Sequence, residues 1–176
     1  MISTIALILL AGLCDRVRGG FPTYLVFGSG EADKPAYIDT LREFFKFAYG
    51  MVLALIVTDV WWQVLAAGPL WWLGTRQDFG GMFRIYWPDK PGGWLHILRV
   101  GVVWPLPVTA LAYWNPVFFV FIPAGVVGNC FAHLLALHTP AVLPRAALEL
   151  CTKPAWSELY RGLFIAAAVA AFGSSL

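Results

Sequence analysis

Charge is what this sequence lacks. Only 12% of its 176 residues are Asp, Glu, Lys or Arg, and 60% are apolar. A soluble domain carries about 25% charged and about 45–50% apolar residues. The deficit excludes a disordered or fibrous chain and points to an integral membrane protein. Cysteine is scarce as well. Cys14, Cys130 and Cys151 are widely spaced and form no CxxC pair, so neither a zinc nor an iron–sulfur site is expected. They read as small apolar side chains in helices. A Gly-x-Ser-x-Gly elbow, a His-Glu-x-x-His helix and a Walker loop are all missing. Nucleophilic and metal-dependent hydrolysis therefore have no positive sign, and no cofactor is implied. A net charge of +2 is too small to argue for a nucleic-acid partner.

Apolar stretches are what is there. They fall at about 2–14, 44–74, 95–114, 116–137 and 159–172. The first has no basic residue before it and Asp15-Arg16-Val17-Arg18 after it, the reverse of a secretory signal. It reads as a membrane helix with its N-terminus outside. The stretch 44–74 is long for one crossing of about 20 residues and short for two. Asp59 sits in its middle.

The sorting of basic residues decides between these alternatives. If the chain turns near Asp59, six helices result. All twelve Lys and Arg residues then fall on one side, in loops 15–43, 75–94 and 138–158 and their adjoining helix ends, among them Lys46, Arg99 and Arg161. If 44–74 crosses once, five basic residues face seven. The positive-inside rule favours the first arrangement. The expectation is an all-α, polytopic bundle of six transmembrane helices. It forms one integral membrane domain over 1–176, with both termini on the non-cytoplasmic side. The uncharged side turns at Asp59 and at Trp114-Asn115-Pro116. Trp61, Trp62 and Trp114 fall near that side. Trp71, Trp72, Trp87, Trp94 and Trp156 fall near the charged one, as interfacial belts require. Trp104 falls mid-helix and is expected to pack in the bundle. Gly68-Pro69 is expected to bend the third helix, Pro105 and Pro107 to make the fourth irregular, and Pro123 to do the same to the fifth. Carbonyls freed at such breaks need partners inside the bundle.

Two clusters combine arginine with glycine on the charged side: Asp15-Arg16-Val17-Arg18-Gly19-Gly20, and Gly74 to Arg84. Arginine pairs with phosphate oxygens through two N–H groups, and glycine lets backbone approach a ligand closely. Arg16, Arg18, Arg76 and Arg84 are thus candidates to hold a lipid phosphate, with Asp15 or Asp78 as a base. Against this stand a topogenic charge block and a solvated loop. His133 and His138 are five residues apart, about 140° around a helix, which does not suit joint metal binding. With His96 they suggest no metal site, and a helix-to-helix hydrogen bond from His133, near Asn129, is expected instead. Glu158 and Arg161 read as an exposed i,i+3 pair opening the last helix. No charge is expected in the bundle core.

The run Leu13-Cys14-Asp15-Arg16-Val17-Arg18-Gly19-Gly20 resembles small polytopic membrane proteins encoded in phage and prophage genomes. These carry an arginine–glycine–glycine motif after a first apolar helix. Trp71-Trp72-Leu73-Gly74 and Ser157-Glu158-Leu159-Tyr160-Arg161-Gly162 are similar to features expected there. The resemblance implies a bacterial inner-membrane setting and a phage origin, and it brings no catalytic residues. Two functions are weighed. One is a non-enzymatic bundle acting through contacts with lipids, other membrane proteins or itself, in phage exclusion, DNA entry or lysis modulation. The other is an enzyme or transporter acting on anionic lipid head groups at the arginine–glycine face.

Overall fold

A computed structural model describes residues 3–18, 36–76, 97–138 and 156–172. The described chain is all-helical. Helix α1 is Thr4–Arg18, α2 is Ala36–Val57 and α3 is Trp61–Arg76. A broken segment follows: a π-helical stretch at Arg99–Val103, turns at 104–107, and 3-10 stretches at Val108–Tyr113 and Pro116–Val120. Helix α4 is Phe121–His138 and α5 is Trp156–Phe172.

The ambiguous stretch 44–74 is a helical hairpin. Its turn is Thr58-Asp59-Val60, where the Thr58 hydroxyl accepts the Val60 N–H at 3.1 Å. Asp59 is an exposed turn residue. The second expected turn also forms. The Asn115 side chain accepts the Val117 N–H at 3.2 Å, and Pro116 opens the next stretch, where a missing N–H costs little. The two tips are neighbours. Trp62 lies edge-on to Trp114 with ring centroids 5.3 Å apart.

Elements adjacent in sequence are adjacent in space. α1 packs on α2, α2 on α3, α3 on 108–113, the π-helical stretch on α4, α4 on α5, and α5 returns to α1. The helices therefore close a ring around one core. Stripes at helical spacing supply that core: Leu7, Ala11 and Cys14 from α1; Tyr49, Val52, Leu53 and Ile56 from α2. Small residues set the closest approaches. A methyl on Gly50 would lie 2.4 Å from Cβ of Trp71, and one on Gly74 would lie 1.9 Å from the Trp104 carbonyl oxygen. No side chain fits at either crossing.

The outside of the ring is apolar too. Ile5, Leu9 and Leu13 form an exposed stripe on α1, opposite its buried one, and Phe44, Leu65, Phe119 and Leu163 are exposed on other elements. A helix apolar all round belongs either to the core of a large protein or to a bilayer.

Among the described residues, no helix is long and apolar enough to cross a membrane. The longest, α2, has 22 residues but carries Asp39, Arg42, Glu43 and Lys46 in its first half. The others have 15, 16, 18 and 17 residues, against about 20 for a typical crossing.

Proline acts differently at each site. α3 runs as one continuous helix through Pro69. The irregularity expected at Pro123 lies before it instead, at 116–120. Pro123 occupies the first turn of α4, where its nitrogen needs no partner within that helix. Pro105 and Pro107 do break the fourth segment, as expected.

Candidate functional site

The most unusual side chain in the bundle is Arg161. It belongs to the second turn of α5 and is 0% exposed. This corrects two expectations: Arg161 is not exposed, and the core does hold a charge, while the side chain of Glu158 lies outside the described residues. The local reason is its place on the inward stripe of α5, with Gly162 and Ile165. An arginine in that stripe has no route to solvent, because α1, α2 and α4 all pack on α5.

The guanidinium contacts an aromatic face and a backbone carbonyl among the described residues. Its carbon sits 4.7 Å from the ring centroid of Trp71, itself fully buried. Such a cation–π contact is worth about 2 kcal/mol when desolvated. The Trp71 indole N–H makes no hydrogen bond among the described residues, so packing holds the ring. Tyr49 and Phe121 flank it at 5.0 and 6.5 Å. On the other side, Nη2 of Arg161 donates to the Val100 carbonyl.

Val100 lies in the π-helical stretch, and the register explains its need. The Trp104 N–H donates to the Arg99 carbonyl at 3.0 Å, five residues back. One residue on, the same pattern would pair an N–H at position 105 with Val100. Pro105 has none. Arg161 supplies the donor that proline removed. Two glycines make room. A methyl on Gly125 would lie 2.8 Å from Nη2 of Arg161 and 2.9 Å from the Gly101 carbonyl oxygen. A methyl on Gly101 would lie 2.9 Å from Val126.

A second polar cluster sits where α2 and α3 meet near the basic end. Glu43 accepts from Lys46 at 2.7 Å and from the Trp72 indole at 2.6 Å. Nε of Arg76 lies 3.8 Å from the same carboxylate, and its guanidinium lies 4.8 Å from the Trp72 ring centroid. Phe47 stacks on the other partner of this seam, with its ring centroid 5.2 Å from that of Trp72. Burial raises the Glu43 pKa, but the hydrogen bonds from Lys46 and Trp72 and the charges of Lys46 and Arg76 outweigh it. The net shift is downward from the ordinary 4.5.

Of the residues expected to bind lipid phosphate, Arg76 is described in full, and it is exposed. Asp15, Arg16 and Arg18 belong to the last turn of α1, with side chains outside the described residues. Asp78 and Arg84 lie outside them altogether, as does His96, and so do the side chains of His133 and His138. The structure therefore brings Arg76 together with Glu43 and Trp72, a grouping that sequence spacing does not suggest. Asn129 is buried and donates to the Gly125 carbonyl at 2.7 Å, back along its own helix rather than across to a neighbour.

Sequence reasoning missed Arg161. One signal was available: Pro105 and Pro107 lack N–H groups, so the segment before them holds carbonyls that need other donors. Compared with known protein families, with characterised proteins and with solved structures, the chain matches none.

Proposed function

We propose that the chain is a polytopic bundle of the bacterial inner membrane, with six crossing segments and both termini on the non-cytoplasmic side. It acts through protein or lipid contacts rather than by catalysis. The observation that carries this reading is the polarity of the bundle. Leucine, isoleucine and phenylalanine face outward while an arginine is sealed in the core. Water would penalise that exterior and a lipid phase would not. Both hairpin tips carry exposed aromatics, with Trp61 72% exposed and Tyr113 86%. Tryptophan and tyrosine suit a membrane–water interface. α3 spans about 24 Å, short of a hydrocarbon core of about 30 Å. Aromatic anchoring and local thinning of the bilayer accommodate such a mismatch.

Single cysteines at Asp59, Trp114 and Arg76, in a chain whose native cysteines are replaced, test the topology. Positions 59 and 114 should label from outside intact cells, and position 76 only after permeabilisation. Labelling of 59 and 76 from the same face, or release of the protein from membranes by alkaline carbonate, overturns the reading. The resemblance to phage-encoded proteins directs the functional test. Expression should lower the plating efficiency of at least one phage in a panel, and an unchanged panel removes phage exclusion.

Arg76 favours a second reading, in which the basic face engages anionic lipid head groups. Its guanidinium is stacked on Trp72 yet its side chain remains 61% exposed. Co-purification of phosphatidylglycerol should fall in Arg76→Ala, and unchanged lipid content counts against it.

A further inference from the structure

We propose that Arg161 is a latch. It replaces the backbone donor that Pro105 lacks, and so fixes the broken segment 97–107 against α4 and α5. That segment is the hinge of the bundle.

Four observations converge on this. The hydrogen bond from Nη2 to the Val100 carbonyl joins residues 61 apart in sequence. The acceptor is the carbonyl whose partner in the local π register is a proline. The guanidinium plane is held by Trp71, so the donor is aimed rather than mobile. Gly125 leaves space for the arginine, and Gly101 lets its segment close on Val126.

Segment 97–107 pairs much of its backbone locally, with the Arg99, Val102, Pro105, Leu106 and Pro107 carbonyls each accepting a nearby N–H, yet its geometry is irregular. It changes from π-helical to turn geometry within nine residues, and Pro105 and Pro107 each remove an N–H. Single π-helical stretches inside helices recur at functional sites, where a helix must change shape. Here one side chain on α5 adds a hydrogen bond to a seam that also packs through Gly101 on Val126. Displacement of Arg161 frees the Val100 carbonyl and lets 97–107 swing from α4, while α1, α2 and α3 keep their mutual packing. This inference does not depend on the membrane reading, because backbone satisfaction is required in any dry core.

A double-mutant cycle on the purified chain tests the latch. Arg161→Met should lower the unfolding midpoint by roughly 10 °C. In a Pro105→Ala background the regained N–H can serve Val100, and the same substitution should cost markedly less. Equal losses in the two backgrounds overturn the proposal. Arg161→Lys, carried through the same backgrounds, gives the same comparison where Arg161→Met yields no folded protein. Hydrogen exchange separates a hinge from general destabilisation. In Arg161→Lys, amides of 101–113 should exchange at least about 10-fold faster, with those of 49–57 unchanged. Uniform acceleration across both regions overturns the hinge.

Discussion

The hairpin α2–α3 and the hairpin spanning 97–138 are built from similar material and solve the same problem differently. Both are apolar, both turn within two or three residues, and their tips touch through Trp62 and Trp114. The first hairpin is two regular helices with side-chain bonds from Thr58 and Thr75 near their ends, and its one internal proline, Pro69, leaves α3 continuous. The second carries four prolines, at 105, 107, 116 and 123, and draws on side chains as well. Arg161 donates to Val100, the Thr109 hydroxyl donates to the Leu106 carbonyl at 2.6 Å, and Asn115 accepts from Val117. The difference teaches that proline spacing, more than hydrophobicity, separates a self-sufficient hairpin from a dependent one. Two prolines two residues apart deny neighbouring carbonyls their donors, whereas an isolated one denies a single carbonyl.

The largest effect should come at the seam between the two hairpins. Gly74→Ala gains about 1 kcal/mol of helix propensity. The new methyl would stand 1.9 Å from the Trp104 carbonyl oxygen. Forced overpacking of this kind costs about 3 kcal/mol, which leaves a net loss of about 2 kcal/mol in thermal or denaturant unfolding. A neutral result would mean that the hairpins slide freely past each other.

A smaller effect sharpens the contrast between the tips. Asn115→Ala removes a cap at the dependent hairpin and should cost about 1 kcal/mol. Thr58→Ala, at the self-sufficient tip, should cost less, because α2 and α3 are regular on either side. Equal costs would erase the distinction.

The smallest effect concerns the basic end of the first hairpin. Glu43 lies in the lead-in before the apolar run 44–74, and its pKa is held below the ordinary 4.5. A depressed carboxyl stabilises the fold above its unfolded pKa, and that contribution is lost as pH falls through the folded value. The unfolding midpoint of the native chain should therefore exceed that of Glu43→Gln at neutral pH, and the gap should close as pH falls through the lowered carboxyl range. A gap that persists in acid would assign the stabilisation to shape rather than charge.

Much of the fold was legible in the sequence. Sorting of basic residues located the turn at Asp59, because placing one turn there put every Lys and Arg on one side. The Asn115-Pro116 turn followed from local chemistry, as did the broken fourth segment. Arg161 was not legible. Its spacing from Glu158 reads as exposed, and nothing in a local window reveals that Arg161, in the second turn of α5, is buried. The grouping of Arg76 with Glu43 was hidden for a related reason, since it depends on how far the α2 lead-in extends past its apolar run.

What the sequence determined by itself was where the backbone would be left wanting. A proline lacks its N–H in any surroundings, so the gaps at 105 and 107 are local facts. Leu106 closes on the Val102 carbonyl locally, and what only the tertiary structure decided was who fills the gap at Val100. That depends on which distant side chain is carried to the gap, and here the close crossing of Gly101 and Gly125 brings a buried arginine from 61 residues away.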